Sequence, residues 1–193
     1  PSTEGKVYSG SIFFNPMGDD DSVGNAVLEN IYMYAFISAS YATAGNIDVS
    51  NITMDFSNNT WSDWEMGFGP AIVGDRYGKV EGITYLVDND AIWEEIISAA
   101  SPYYGDTKPG TVIKFTENIT VDKMFDISRS DIVIDFDGHT LTASENFAST
   151  YENDSHLVQI SGDNVTVKNA KIVTTAANKH GINIYQATGV VLE

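Results

Sequence analysis

The feature that most constrains this chain is a short pattern written nearly three times between Asp131 and Glu193. The copies are Asp131-Ile-Val-Ile-Asp-Phe136, Asn164-Val-Thr-Val-Lys-Asn169 and Gly189-Val-Val-Leu-Glu193. Each opens on a turn-forming residue and continues with alternating apolar positions. The first two begin 33 residues apart and the last two 25 apart, and the longer interval carries a polar insertion at Thr142–Ser155. Two shorter alternating runs, Leu157–Ile160 and Ile182–Tyr185, fall between the copies. A period in the twenties, made of short strands with Gly, Asn and Asp at the turns, is the signature of a parallel β-solenoid.

Strand side chains alternate between faces, so Ile132, Ile134 and Phe136 share one face and Val133 and Asp135 the other. Laid in register, the three copies stack Val165, Val167, Val190 and Leu192 on the first face. The outward columns then read Val133–Thr166–Val191 and Asp135–Lys168–Glu193. The second alternates in sign, and opposite charges on neighbouring strands attract where like charges would repel.

The same residues carry a family resemblance. Ile132-Val-Ile-Asp-Phe-Asp-Gly-His-Thr-Leu141, Val165-Thr-Val-Lys-Asn-Ala-Lys-Ile172 and His180-Gly-Ile-Asn-Ile-Tyr185 resemble right-handed parallel β-helix proteins of the pectate-lyase-like superfamily, of the bacterial secreted or surface type. Asn169 matches the asparagine-ladder turn of that family, and Asn51-Ile-Thr53 resembles it. The likeness spans residues 87–193 and implies a fold. It does not imply an activity, since the superfamily holds lyases, hydrolases, tailspikes and adhesins. The expected fold class is mainly β, a right-handed parallel β-helix, with an amphipathic capping helix near Asp90–Ala100. Ile92, Trp93, Ile96, Ile97 and Ala100 form the helical stripe, Asp90 caps the first turn, and Pro102 stops it. Two parts are expected. Residues 1–86 are a β-rich segment packing on or extending the solenoid, and residues 87–193 are the helix plus coils. Pro1 is no natural start and Leu192-Glu193 ends in mid-strand, so a processed or cloned piece is expected, truncated at its C-terminal end.

The chain holds 10 basic against 27 acidic residues, a net charge of −17. That balance disfavours nucleic acid and anionic membranes as partners and favours solubility; it is compatible with calcium. The absence of cysteine excludes a disulfide scaffold and a thiolate zinc site. No apolar run approaches a membrane span.

Candidate functional residues are few. Asp19, Asp20 and Asp21 are a candidate calcium cluster, although successive carboxylates converge poorly on one ion. Trp61 and Trp64 suit either core packing or stacking on sugar rings. The glycines between Gly67 and Gly82 do not make a phosphate loop, because no Gly-Lys-Ser/Thr ending or helix start follows. Asp135, Asp137 and His139 are the candidate acid–base set, yet Asp135 faces Lys168 and Asp137-Gly138 is a natural turn. His156 and His180 are expected to stack on neighbouring strands. The sequence therefore leans away from an enzyme. It points to a non-catalytic β-helical module of a secreted or cell-surface bacterial protein, in a structural, adhesive or carbohydrate-recognition role. A fragment of a polysaccharide lyase or glycoside hydrolase is the alternative. Expected partners are a polysaccharide or host glycan, and another copy through an open solenoid end at Val190–Leu192. No cofactor is required, with calcium the one candidate.

Overall fold

A computed structural model describes residues 12–13, 26–33, 37–38, 47–55, 72–73, 77–90, 110–148, 155–174 and 180–193. These residues form a mainly β protein of parallel strands. In chain order the strands are β1 (Ile12–Phe13), β2 (Ala26–Met33), β3 (Ile37–Ser38), β4 (Ile47–Asp55), β5 (Ile72–Val73), β6 (Tyr77–Val87), β7 (Val112–Phe115) and β8 (Ile119–Val121). They continue as β9 (Phe125–Ile127), β10 (Val133–Asp135), β11 (Thr140–Ala143), β12 (His156–Ile160), β13 (Thr166–Lys168), β14 (Lys171–Val173), β15 (His180–Ile184) and β16 (Val191–Leu192). Of the expected helix over Asp90–Ala100, only Asp90 is a described residue and it is helical; residues 91–100 lie outside the described set, and no capping helix is seen within it.

Four sheets result. The longest has seven strands in the order β16-β13-β10-β7-β6-β4-β2. The others are β14-β11-β8, β15-β12-β9 and β1-β3-β5. From β7 onward the chain deals its strands in rotation to the first three of these, and every pairing is parallel. The expected register is observed: Val133 pairs with Thr166 and Asp135 with Lys168, then Thr166 pairs with Val191. β6 pairs with β7, so the long sheet runs unbroken across residue 86.

One position recurs in, or two residues before, each of the seven strands of that sheet. Following the register, Asn30, Asn51, Gly82, Gly110, Asp131, Asn164 and Gly189 fall in a single column. Every one of them has a positive φ, between 53° and 79°. Gly, Asn and Asp are the residues that accept this left-handed conformation. The next column is β-branched throughout: Ile31, Ile52, Ile83, Thr111, Ile132, Val165 and Val190. The pattern recognised three times in the sequence is thus present seven times. Within the column the side chains are tied together: the Asn51 amide donates to Asn30 Oδ1 at 3.3 Å, and the Asn164 amide to Asp131 Oδ1 at 2.9 Å. Where glycine follows asparagine there is no room for more. A Cβ on Gly82 would lie 2.6 Å from Asn51 Oδ1, and one on Gly189 would collide with Asn164 Oδ1.

The inward residues form one apolar cluster running from Val49 to Val167. Ile52, Ile83, Ile113, Ile134 and Ile160 are all but fully buried. Phe115 and Phe136 stack at 4.8 Å, with Phe125 tilted against both. Burial of this kind contributes on the order of 25 cal/mol per Å² of apolar surface.

Candidate functional site

The outer face of the long sheet carries the charged column. It runs Lys114, Asp135, Lys168 by register, with Lys114 the member that sequence reading missed. Lys168 Nζ lies 3.4 Å from Asp135 Oδ2, and Lys114 Nζ lies 3.0 Å from Asp137 Oδ2. Asp135 is nearly buried and fully engaged: Asp135 Oδ1 accepts from the Asn169 amide at 2.9 Å and from the Asp137 backbone N–H at 2.9 Å. Burial pushes its carboxyl up, but the Asn169 amide, the Asp137 N–H and the Lys168 ammonium together outweigh burial. The net result is a carboxyl held below its ordinary range.

That arrangement bears directly on the acid–base candidates. Asp135 and Asp137 are brought together, but each is paired with a lysine from a different strand, and Asp135 is fixed as the anion. A general acid needs the opposite, a raised pKa. His139 is half-buried, and its backbone is committed to the turn: its N–H donates to Phe136 O at 2.7 Å and its carbonyl accepts from Lys171 at 3.2 Å. The geometry makes these residues a register lock between strands.

A second polar column precedes the left-handed one. Asp163 Oδ1 accepts from both the Thr188 N–H at 2.7 Å and the Thr188 hydroxyl at 2.9 Å. The Asp163 N–H in turn donates to Ser130 Oγ at 3.0 Å. These bonds from Thr188 hold the Asp163 carboxyl below its ordinary range.

The third column lies on the sheet β15-β12-β9, where Asp126, Gln159 and Asn183 are in register. The Asn183 amide reaches Gln159 Oε1 at 3.5 Å. Asp126 is exposed, yet local desolvation pushes its carboxyl above the ordinary range, with the Gln159 amide pulling the other way. A carboxyl and two amides side by side offer donors and acceptors to a neutral polar ligand. The sequence reading passed over this column, because an Asp, a Gln and an Asn on three different strands share no local spacing. Only the strand register joins them. In the same sheet His156 pairs with His180, and their rings stack at 5.4 Å as expected.

Trp61, Trp64, Asp19, Asp20 and Asp21 lie outside the described residues. Among the described residues, no group of three or more His, Asp or Glu is placed to hold a metal ion. No helix among them is long and apolar enough to cross a membrane. No family model, no curated protein and no solved structure matches this chain.

Proposed function

We propose that this protein is a non-catalytic module with a right-handed parallel β-helical fold, belonging to a secreted or cell-surface bacterial protein and serving a structural, adhesive or carbohydrate-recognition role. The observation that carries this reading is the left-handed column that recurs in, or just before, each of the seven strands of the long sheet. A coil that lays each strand on the one before must turn its corner at the same place every time, and a stacked positive-φ residue does that. The rotation of β7–β16 through three parallel sheets supports the same architecture. Parallel crossovers are right-handed in about 98% of cases, which gives the hand of the coil.

The chemistry of the outer face supports recognition over catalysis. Asp135 and Asp137 serve Lys168 and Lys114, so the best-ordered carboxylates are used up in holding strands together. The Asp126–Gln159–Asn183 column is the surface suited to a glycan, since amides and a carboxyl hydrogen-bond sugar hydroxyls without a poised acid–base pair. Calcium enters as an optional ligand, through Asp19, Asp20 and Asp21.

The test is retention on immobilised neutral and acidic polysaccharides, with and without calcium, run beside an assay for chain cleavage. Retention without cleavage, weakened at least severalfold by Asn183→Ala, is the expected outcome. Cleavage of any polysaccharide overturns the reading. A second reading, a fragment of a polysaccharide lyase or glycoside hydrolase, draws on the raised carboxyl of Asp126, since a raised pKa suits a general acid. It requires cleavage that Asp126→Asn abolishes.

A further inference from the structure

We propose that Asn118 is an N-glycosylation site, taking on its side-chain nitrogen the sugar of a lipid-linked glycan. The inference rests on the secreted or cell-surface reading above, since lipid-linked glycans are transferred outside the cytoplasm. Asn51, Asn58, Asn118, Asn153 and Asn164 each open an Asn-x-Ser/Thr triplet with no proline at x, the acceptor pattern for this modification. A triplet this short also arises by chance, so the fold decides which of them is usable. Asn58 and Asn153 lie outside the described residues.

Exposure does not separate the other three, because all of them are exposed. The amide separates them. Asn51 and Asn164 belong to the left-handed column, with φ of 53° and 54°. Asn51 Nδ2 donates to Asn30 Oδ1 on one side, and Asn51 Oδ1 fills the space that a Cβ on Gly82 would need on the other. Asn164 is held in the same way between Asp131 and Gly189. A sugar on either nitrogen has to break a bond between strands. Asn118 stands outside the column, just before β8. Its Oδ1 accepts the Thr140 N–H at 2.8 Å, which turns Nδ2 away from β11, and among the described residues Nδ2 has no partner. Strand alternation puts Asn118 and Thr120 on one outward face, both exposed, with the buried Ile119 between them. The acceptor amide and the hydroxyl that completes the triplet are therefore presented together. In the transfer, Asn118 Nδ2 forms a bond to the anomeric carbon of the glycan. The bond from that carbon to the lipid phosphate oxygen breaks, the lipid phosphate leaves with the electron pair, and the amide gives one proton to a base of the transferase. Oδ1 keeps its lone pairs, so the bond from Thr140 survives. β8 belongs to the sheet β14-β11-β8, so this glycan stands on a different sheet from the Asp126–Gln159–Asn183 column.

Glycopeptide mapping by mass spectrometry, on protein recovered from its native cells, tests the proposal. Asn118 is expected to carry glycan, with Asn51 and Asn164 bare. A bare Asn118 on protein recovered from the cell surface overturns the proposal and leaves the module reading standing, so the two fail separately. Recovery from the cytoplasm alone overturns the proposal together with the location it rests on. A second measurement isolates the part played by the fold. Purified folded protein carrying Asn58→Gln and Asn153→Gln is treated with a lipid-linked glycan and a transferase of Asn-x-Ser/Thr specificity. One addition at Asn118 is expected, abolished by Thr120→Val and retained by Thr120→Ser. Equal occupancy at Asn51, Asn118 and Asn164 overturns the assignment to Asn118. Transfer to a free peptide spanning residues 115–123 but not to the folded protein overturns it as well, because the fold then hides the acceptor.

Discussion

β10 and β16 carry nearly the same residues in the same order, yet they hold different positions in the core. Ile132 and Ile134 around β10 are buried, while the matching Val190 is only partly covered and Leu192 is 50% exposed. β10 lies between β7 and β13, whereas among the described residues β16 pairs with β13 alone. Alternation decides which face a side chain takes, but the neighbouring strand on each side decides whether that face is dry. In a stacked sheet, membership of the core is therefore a property of place in the stack.

The largest expected effect tests this contrast directly. Phe136, stacked on Phe115 and 1% exposed, is predicted to cost about 3–5 kcal/mol on Phe136→Ala. Leu192→Ala, at the edge, is predicted to cost less than about 1 kcal/mol in the monomer. Urea unfolding monitored by far-UV circular dichroism gives both values. Equal losses at the two positions break the comparison between centre and edge.

A smaller effect sharpens it within the left-handed positions. Gly82 and Gly138 both have positive φ, at 62° and 85°. A side chain at either bears the left-handed penalty of about 1–2 kcal/mol. Only at Gly82 is the space also taken, by the Asn51 amide; at Gly138 an added Cβ meets nothing within 4 Å. Gly82→Ala is therefore expected to destabilise more than Gly138→Ala, and Asn51→Gly is expected to recover part of the loss. A Gly82→Ala midpoint matching that of Gly138→Ala sets aside the stacked column as a source of stability.

These contrasts also mark what the sequence made legible. The alternation of Asp131–Phe136, Asn164–Lys168 and Gly189–Leu192 was enough for the parallel pairing, the register and the outward Asp135–Lys168 contact. Of the four earlier copies, at Asn30, Asn51, Gly82 and Gly110, the sequence marks two: Asn51 by its likeness to the coil turn, and Gly110 within the run Lys108–Phe115 that reads as the opening of the first coil. Asn30 and Gly82 went unrecognised, and the reason is physical. The column demands a backbone conformation and tolerates any residue that adopts it, so Asn, Gly and Asp interchange and no fixed letter repeats. The spacing between copies ranges from 21 to 33 residues, because loops absorb insertions while strands do not. Lys114 was missed for the same reason, since its copy begins with Gly110. The Asp126–Gln159–Asn183 column is further still from view, being assembled from residues 33 and 24 apart with no motif in common.

The smallest expected effects set the two outer columns against each other by their response to pH. An isolated aspartate titrates near 3.9 in the unfolded chain. Asp135 sits below its ordinary value in the fold, so the folded state favours the anion. Its contribution is fully present above the unfolded value and is lost as pH falls through the depressed folded value. Asp126 is shifted the other way, so the folded state favours the protonated acid. Stability from this group is fully present below the unfolded value and is lost as pH rises through the elevated folded value. Replacing each with asparagine removes its titration. Asp135→Asn is expected to destabilise at neutral pH by about 1–3 kcal/mol, because Lys168 and Asn169 lose a charged acceptor, and the deficit shrinks in acid. Asp126→Asn is expected to change stability at neutral pH by no more than about 0.5 kcal/mol, and any change there is a gain. Urea midpoints measured from acid to neutral pH separate the two, since the difference between wild type and variant grows with pH in opposite senses. A shared sign means that the two carboxyls answer to the charge of the whole molecule, and the contrast between a column that locks strands and one proposed to bind a ligand loses its electrostatic support.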